Sequence, residues 1–121
     1  MRGMTDQNMP PRSALPHHSL VAYQVAVEFL LAVKRANIRD PKFRDEATRA
    51  AKSVCLNAAE GAGRITRADK ARAFAIARGE AVEAVAAVEL CAIVGDVAQD
   101  SADQCVTIAK RLVALLTSLA R

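Results

Sequence analysis

Apolar residues recur along most of this chain at spacings of three and four, with polar residues between them, and the runs that do so fall into four groups. That period belongs to the α-helix; no stretch alternates β-branched or aromatic residues with polar ones between turn residues, as a strand would. The first helix is expected over Leu20 to Ala36, with Ser19 as its N-cap and Lys34 and Arg35 near its C-terminal end. It is apolar on two sides, Ala22, Val25, Phe29 and Val33 on one and Leu20, Tyr23, Val27 and Leu30 on the other. Asp40-Pro41 is a start signal for the second, because Asp caps well and Pro at the first helical position gives up only an unpaired N–H. Phe43, Ala47, Ala50, Ala51, Val54 and Ala58 make its core face, and Arg49, Ser53, Asn57 and Glu60 form a polar row opposite. Gly61 and Gly63 are expected to end it in a left-handed C-cap.

Thr66 with Asp69 resembles a capping box and opens a third helix reaching about Val94. One of its stripes is Phe74, Ala77, Ala81, Val85, Val88 and Ala92; another is Ala73, Ile76, Ala84, Ala87, Cys91 and Val94. Asp100, Ser101 and Gln104 mark the start of the last, whose stripe runs through Cys105, Ile108, Ala109, Leu112, Leu115, Leu116 and Leu119. Short connections make successive helices antiparallel, so the expected fold is all-α: a left-handed, up-and-down, antiparallel four-helix bundle. The surplus apolar faces on the first and third helices predict that copies assemble into an oligomer.

Composition sharpens this picture. Apolar residues make up 52% of the 121, yet only 3% are aromatic and Trp is absent, so a core of mostly small side chains requires closely spaced helices. The length suits one domain: residues 1–18, with Pro10, Pro11 and Pro16, read as a disordered N-terminal tail, and residues 19–121 as the bundle. The best candidate membrane segment, Leu20 to Val33, is broken by Gln24 and Glu28, and the N-terminus lacks a secretory apolar run, so a cytoplasmic location without a membrane partner is expected. Cys55, Cys91 and Cys105 lack metal-ligand spacing and lie on or beside apolar stripes, which predicts buried thiols.

Charge is unevenly spread. From Lys34 to Arg78, twelve basic residues stand against five acidic ones, a net +7, while Gly79 to Arg121 carries three basic and six acidic residues, a net −3. A basic middle attracts polyanions or makes complementary subunit faces.

Enzymatic chemistry lacks its parts. His17 and His18 are the only histidines and sit in the tail, no Glu-x-x-His pair exists for a di-iron centre, and Gly61 and Gly63 follow a helix rather than the strand of a phosphate-binding loop. Expected, therefore, are no catalytic residue, no cofactor, no metal and no small-molecule substrate. Glu60 in a last helical turn opposes the helix dipole and calls for a partner, with Arg49, Arg64 and Arg78 as candidates, so Asn57 and Glu60 are expected in a polar network locking the second helix to the third or to another subunit.

The stretch Ser53-Val54-Cys55-Leu56-Asn57-Ala58-Ala59-Glu60-Gly61, followed by Ala62-Gly63-Arg64, resembles the signature of the four-helix-bundle proteins encoded within intervening sequences of 23S ribosomal RNA genes, which are similar in turn to the accessory variability proteins of diversity-generating retroelements. Arg49-Ala50-Ala51, Phe74-Ala75-Ile76-Ala77-Arg78-Gly79 with Ala81 and Glu83, and more weakly Tyr23 with Ala26, extend the likeness to nearly everything but the tail. Glu80 departs from the Ser usual in that family, and Glu46 from the common Gln. The resemblance implies an up-and-down bundle forming a homopentamer, with nucleic acid or a reverse transcriptase as partner for relatives with basic surfaces. It makes Arg49, Ser53, Asn57, Glu60, Gly61, Arg78 and Gly79 a structural motif. Arg44, Lys52, Arg64, Arg67, Lys70 and Arg72 are the candidate contacts to RNA or DNA phosphates.

Overall fold

Four helices form where the periodicity places them. The computed structural model describes residues 15–121, in the order α1 (Val21–Arg35), α2 (Pro41–Gly63), α3 (Arg67–Ile93) and α4 (Gln99–Leu119). Of the loose tail expected over residues 1–18, residues 1–14 lie outside the described residues, while residues 15–18 belong to a hydrogen-bonded turn that leads into α1. Leu15 to Leu20 make a backbone turn, with the His18 and Leu20 N–H groups donating to Leu15 and His17, and the His17 ring meets Tyr23 edge-on at 4.7 Å.

α2 packs on α3, α3 on α4, α4 on α1 and α1 on α2, the arrangement of an up-and-down bundle. More than half of the buried apolar residues are alanine. They concentrate in the α2–α3 seam, Ala47, Ala50, Ala51 and Ala58 against Ala73, Ala77, Ala81 and Ala84, whereas Phe29, Leu112 and Leu116 fill the α1–α4 side. Small side chains let α2 and α3 approach closely; large ones take up the space left on the other side.

Helix ends partly correct the sequence expectations. Asp40 caps α2 through the N–H groups of Lys42 and Phe43, and Thr66 caps α3 through that of Asp69, as expected. Ser19 caps nothing, because α1 begins from Leu20 on the backbone turn before it. Ser101 lies inside α4, which starts at Gln99 after Ala98 with no side-chain cap. Gly61 and Gly63 do not form a left-handed cap either: α2 continues to Gly63, and Arg64 follows in extended conformation. α3 instead ends on Gly95, at φ +82°, with Gly95 N–H bonded to Ala92 and Asp96 N–H to Cys91, a Schellman turn.

Asp96, just past that turn, ties the two connections at this end together. Its Oδ2 accepts from the backbone N–H groups of Arg39 (3.1 Å) and Asp40 (3.0 Å), and Oδ1 lies 3.4 Å from Arg39 Nε. Those backbone donors, first Asp40 and then Arg39, hold its carboxyl below the usual range.

The surplus of apolar surface is smaller than the sequence implies. On α3 the second stripe is mostly consumed inside the chain, with Ala73, Ala84, Ala87 and Cys91 buried, because α3 lies between α2 and α4. On α1, Leu20, Tyr23, Val27 and Leu30 are half-buried against the core. What remains exposed is richest on the outward side of α3: Ile76 and Val94 from that stripe, joined by Val82, Leu90 and Ile93, with Ile93 and Val94 78% and 69% exposed.

Candidate functional site

The polar row on α2 divides into three separate local arrangements. Arg49 is the hub of the first: its guanidinium bonds Glu46 (3.0 Å) one turn earlier, and Glu80 (3.2 Å) and Glu83 (2.8 Å) across the seam on α3. Hydrogen bonds to Glu46 and Glu80 raise the Arg49 pKa further, and the Arg49 bond is the main reason Glu80 is held below its usual value. Glu46 and Glu80, on different helices, thus face the same arginine.

Asn57 belongs to the second, donating its amide to the Ser53 carbonyl (2.9 Å) and Ser53 Oγ (3.0 Å), a bond within α2. In the third, Glu60 pairs with Arg64 at 2.8 Å, one turn on. Of the three partners expected for Glu60, Arg64 is the one it meets; within this chain Asn57 and Glu60 do not reach α3, and the contacts from this row to α3 are made through Arg49 and, at Glu80, Ser53. Arg78 turns the other way and donates to Thr117 Oγ1 at 2.7 Å, joining α3 to α4. A shallow groove of about 590 Å³ runs along this face past Arg49, Ser53, Asn57 and Glu60.

Gly61 is buried because Phe74 lies on it: a Cβ there would sit 2.6 to 2.8 Å from three ring atoms. Gly79 has no such reason, since a Cβ at that position meets nothing within 4 Å.

The candidate phosphate contacts are not equivalent. Lys70 is half-buried and spent on α2, its Nζ bonding the last-turn carbonyls of Ala62 (2.9 Å) and Gly61 (3.4 Å). Arg44 reaches the Arg39 carbonyl at 3.5 Å, and Arg64 is held by Glu60. Lys52, Arg67 and Arg72 are exposed and make no ion pair among the described residues. Between Arg64 and Arg67, in the three-residue connection, Ile65 is 93% exposed. The sequence signal for it was a lone aliphatic residue in an otherwise polar turn, Gly-Arg-Ile-Thr-Arg.

All three cysteines are buried free thiols. Burial pushes Cys55 up to about 11 and raises Cys91 and Cys105. Among the described residues no group of three or more His, Cys, Asp or Glu is placed to hold a metal ion, and no helix is long and apolar enough to cross a membrane.

Residues 18–118 match the sequence signature of the 23S rRNA-intervening sequence proteins. Among solved structures, the fold is similar to that of a protein of unknown function from the S23 ribosomal protein family of Bacteroides thetaiotaomicron. The TM-score is 0.74 at 19% identity, over 83% of this chain and 98% of that one. No curated protein matches the sequence.

Proposed function

The chain belongs to the 23S rRNA-intervening sequence protein family, and from that premise we propose that it is a non-enzymatic bundle that assembles with copies of itself and acts as a scaffold for protein or RNA partners. One observation carries this: the outward side of α3 is an apolar ridge. Ile76, Val82, Leu90 and Ile93 stand on it, with the small Ala75, Gly79 and Ala86 between them. From Ala75 to Ile93 it spans roughly 27 Å. A glycine in mid-helix costs about 1 kcal/mol relative to alanine. Gly79 bears that cost with no neighbour inside its own chain, which fits the close approach of another helix from outside.

A seat for such a ridge lies on a different side of the same molecule. The α3–α4 groove, about 360 Å³, is lined by Val85, Val106, Ala109 and Val113. Ridge and groove on different sides favour head-to-tail contact, which closes into a ring, and the family resemblance implies five copies. Four of the carboxylates near the α2 groove, Glu46, Glu60, Glu80 and Glu83, are each engaged by an arginine, which favours a non-catalytic role. Light scattering after gel filtration tests assembly: a multiple of 12.9 kDa is expected, and Val82→Glu with Leu90→Glu should yield a folded monomer. A wild-type monomer refutes it.

The exposed Lys52, Arg67 and Arg72 favour a second role, as a weakly selective nucleic-acid-binding accessory. Filter binding to RNA fragments then falls steeply with salt, and no retention at low salt removes this role.

A further inference from the structure

The three-residue α2–α3 connection combines features that a plain surface turn does not need. Ile65 projects into water, 93% exposed, with Arg64 and Arg67 on either side and Arg72 a turn and a half into α3. Its backbone is nevertheless fixed on both sides. Arg64 N–H bonds the Glu60 carbonyl (2.9 Å), Thr66 Oγ1 accepts from Asp69 N–H (3.1 Å), and the Lys70 ammonium spans back to the end of α2. Beneath, the Phe74 ring against Gly61 leaves the two helices no slack. The isoleucine is therefore held out by a rigid support.

We propose that this turn is a wedge for helical nucleic acid, with Ile65 entering an interrupted base step while Arg67 and Arg72 hold the flanking phosphates. Aliphatic side chains inserted between bases, with arginines on the backbone, are a recurrent way of opening a stacked helix. Arg64 can join them, because an exposed ion pair such as that with Glu60 is worth little and exchanges readily for a phosphate. A lipid surface suits the turn less well. Stable interfacial binding needs several apolar side chains beside the basic ones, and Ile65 is the only large apolar residue between Gly63 and Phe74.

This inference rests on the nucleic-acid role above and deepens it. The test uses the full chain and two RNA hairpins, one fully paired and one with a single unpaired base beside a 2-aminopurine reporter. Wild type is expected to bind the interrupted hairpin roughly tenfold more tightly and to raise the reporter's fluorescence as the step opens. Ile65→Ser should erase the preference and the fluorescence rise while keeping the salt dependence; it leaves the core untouched because Ile65 is exposed, and circular dichroism checks the fold. Arg67→Ala should weaken both hairpins equally and lower the salt slope by about one. Binding without preference in wild type, or a preference that survives Ile65→Ser, overturns the wedge alone. No binding of either hairpin at low salt overturns the nucleic-acid role with it. Binding to phosphatidylserine vesicles that is lost in Ile65→Ser, with equal affinity for the hairpins, overturns the wedge in favour of a lipid surface.

Discussion

Gly61→Ala probes the close approach of α2 to the Phe74 ring on α3. The added methyl would lie 2.6 to 2.8 Å from three atoms of the Phe74 ring, which is itself only 4% exposed and has little room to tilt. Relief requires α2 and α3 to separate, loosening the alanine seam above. Overpacking of this kind costs about 1–3 kcal/mol, and the lack of a flexible neighbour puts this site in the upper half of that range. Against it stands the helix-propensity gain of Ala over Gly, at most about 1 kcal/mol and less here because α2 ends two residues later. The net is a loss of about 1–2 kcal/mol, or roughly 3–8 °C in melting temperature for a chain of this size. Urea unfolding followed by circular dichroism, at several protein concentrations so that assembly is held apart from folding, reads it directly. Gly63→Ala is the control, since a Cβ there meets nothing within 4 Å, and it should be neutral or stabilising. Phe74→Leu in the Gly61→Ala background should recover part of the loss, giving a coupling energy of about 1 kcal/mol. A Gly61→Ala protein as stable as the Gly63→Ala control refutes the steric account.

Gly79→Ala should raise the intrinsic stability of the helix by about 0.5–1 kcal/mol while weakening assembly, an opposition that unfolding of the monomeric Val82→Glu, Leu90→Glu background separates from self-association. Asp96 has a depressed pKa in the folded state, so its contribution is present above the ordinary carboxylate range and is lost as pH falls through the lowered value; Asp96→Asn should flatten that part of the acid-unfolding profile. Arg49→Met leaves Glu46, Glu80 and Glu83 facing one another, so stability should fall at neutral pH and recover partly on mild acidification, as thermal melts across pH would show. Cys55, Cys91 and Cys105 should resist a thiol reagent in the native protein at pH 8 and all react in guanidinium; rapid native labelling would contradict their burial.

Much of the fold was legible because helical periodicity is local. Asp40-Pro41 and Thr66 announced their helix starts, and the core face from Phe43 to Ala58 followed from spacing alone. What could not be read was any feature decided by a distant neighbour. Gly61 looks like a helix terminator until Phe74 is found lying on it. Arg49 and Glu60 share a row, yet each is satisfied by a different partner, one across the seam and one on its own helix. The second stripe of α3 looked outward only because periodicity does not say how many neighbours a helix has. Asp96 carries no local signal at all: its role comes from two connections meeting at one end of the bundle.

The Arg49 hub has a further effect, on where a polyanion can settle. Three carboxylates around one guanidinium give that cluster a net charge of −2, against which the exposed Lys52 one turn on sets a single positive charge, so a phosphodiester chain laid lengthwise over α2 and α3 meets net repulsion at the Arg49 cluster. Arg49 and Ile65 are separated by about 24 Å along the helix, some three screening lengths at physiological salt. On the proposed nucleic-acid role, the cluster would therefore repel such a chain without weakening attraction at the tip, and a polyanion would be steered to the end of the bundle that carries Ile65 rather than along its flank.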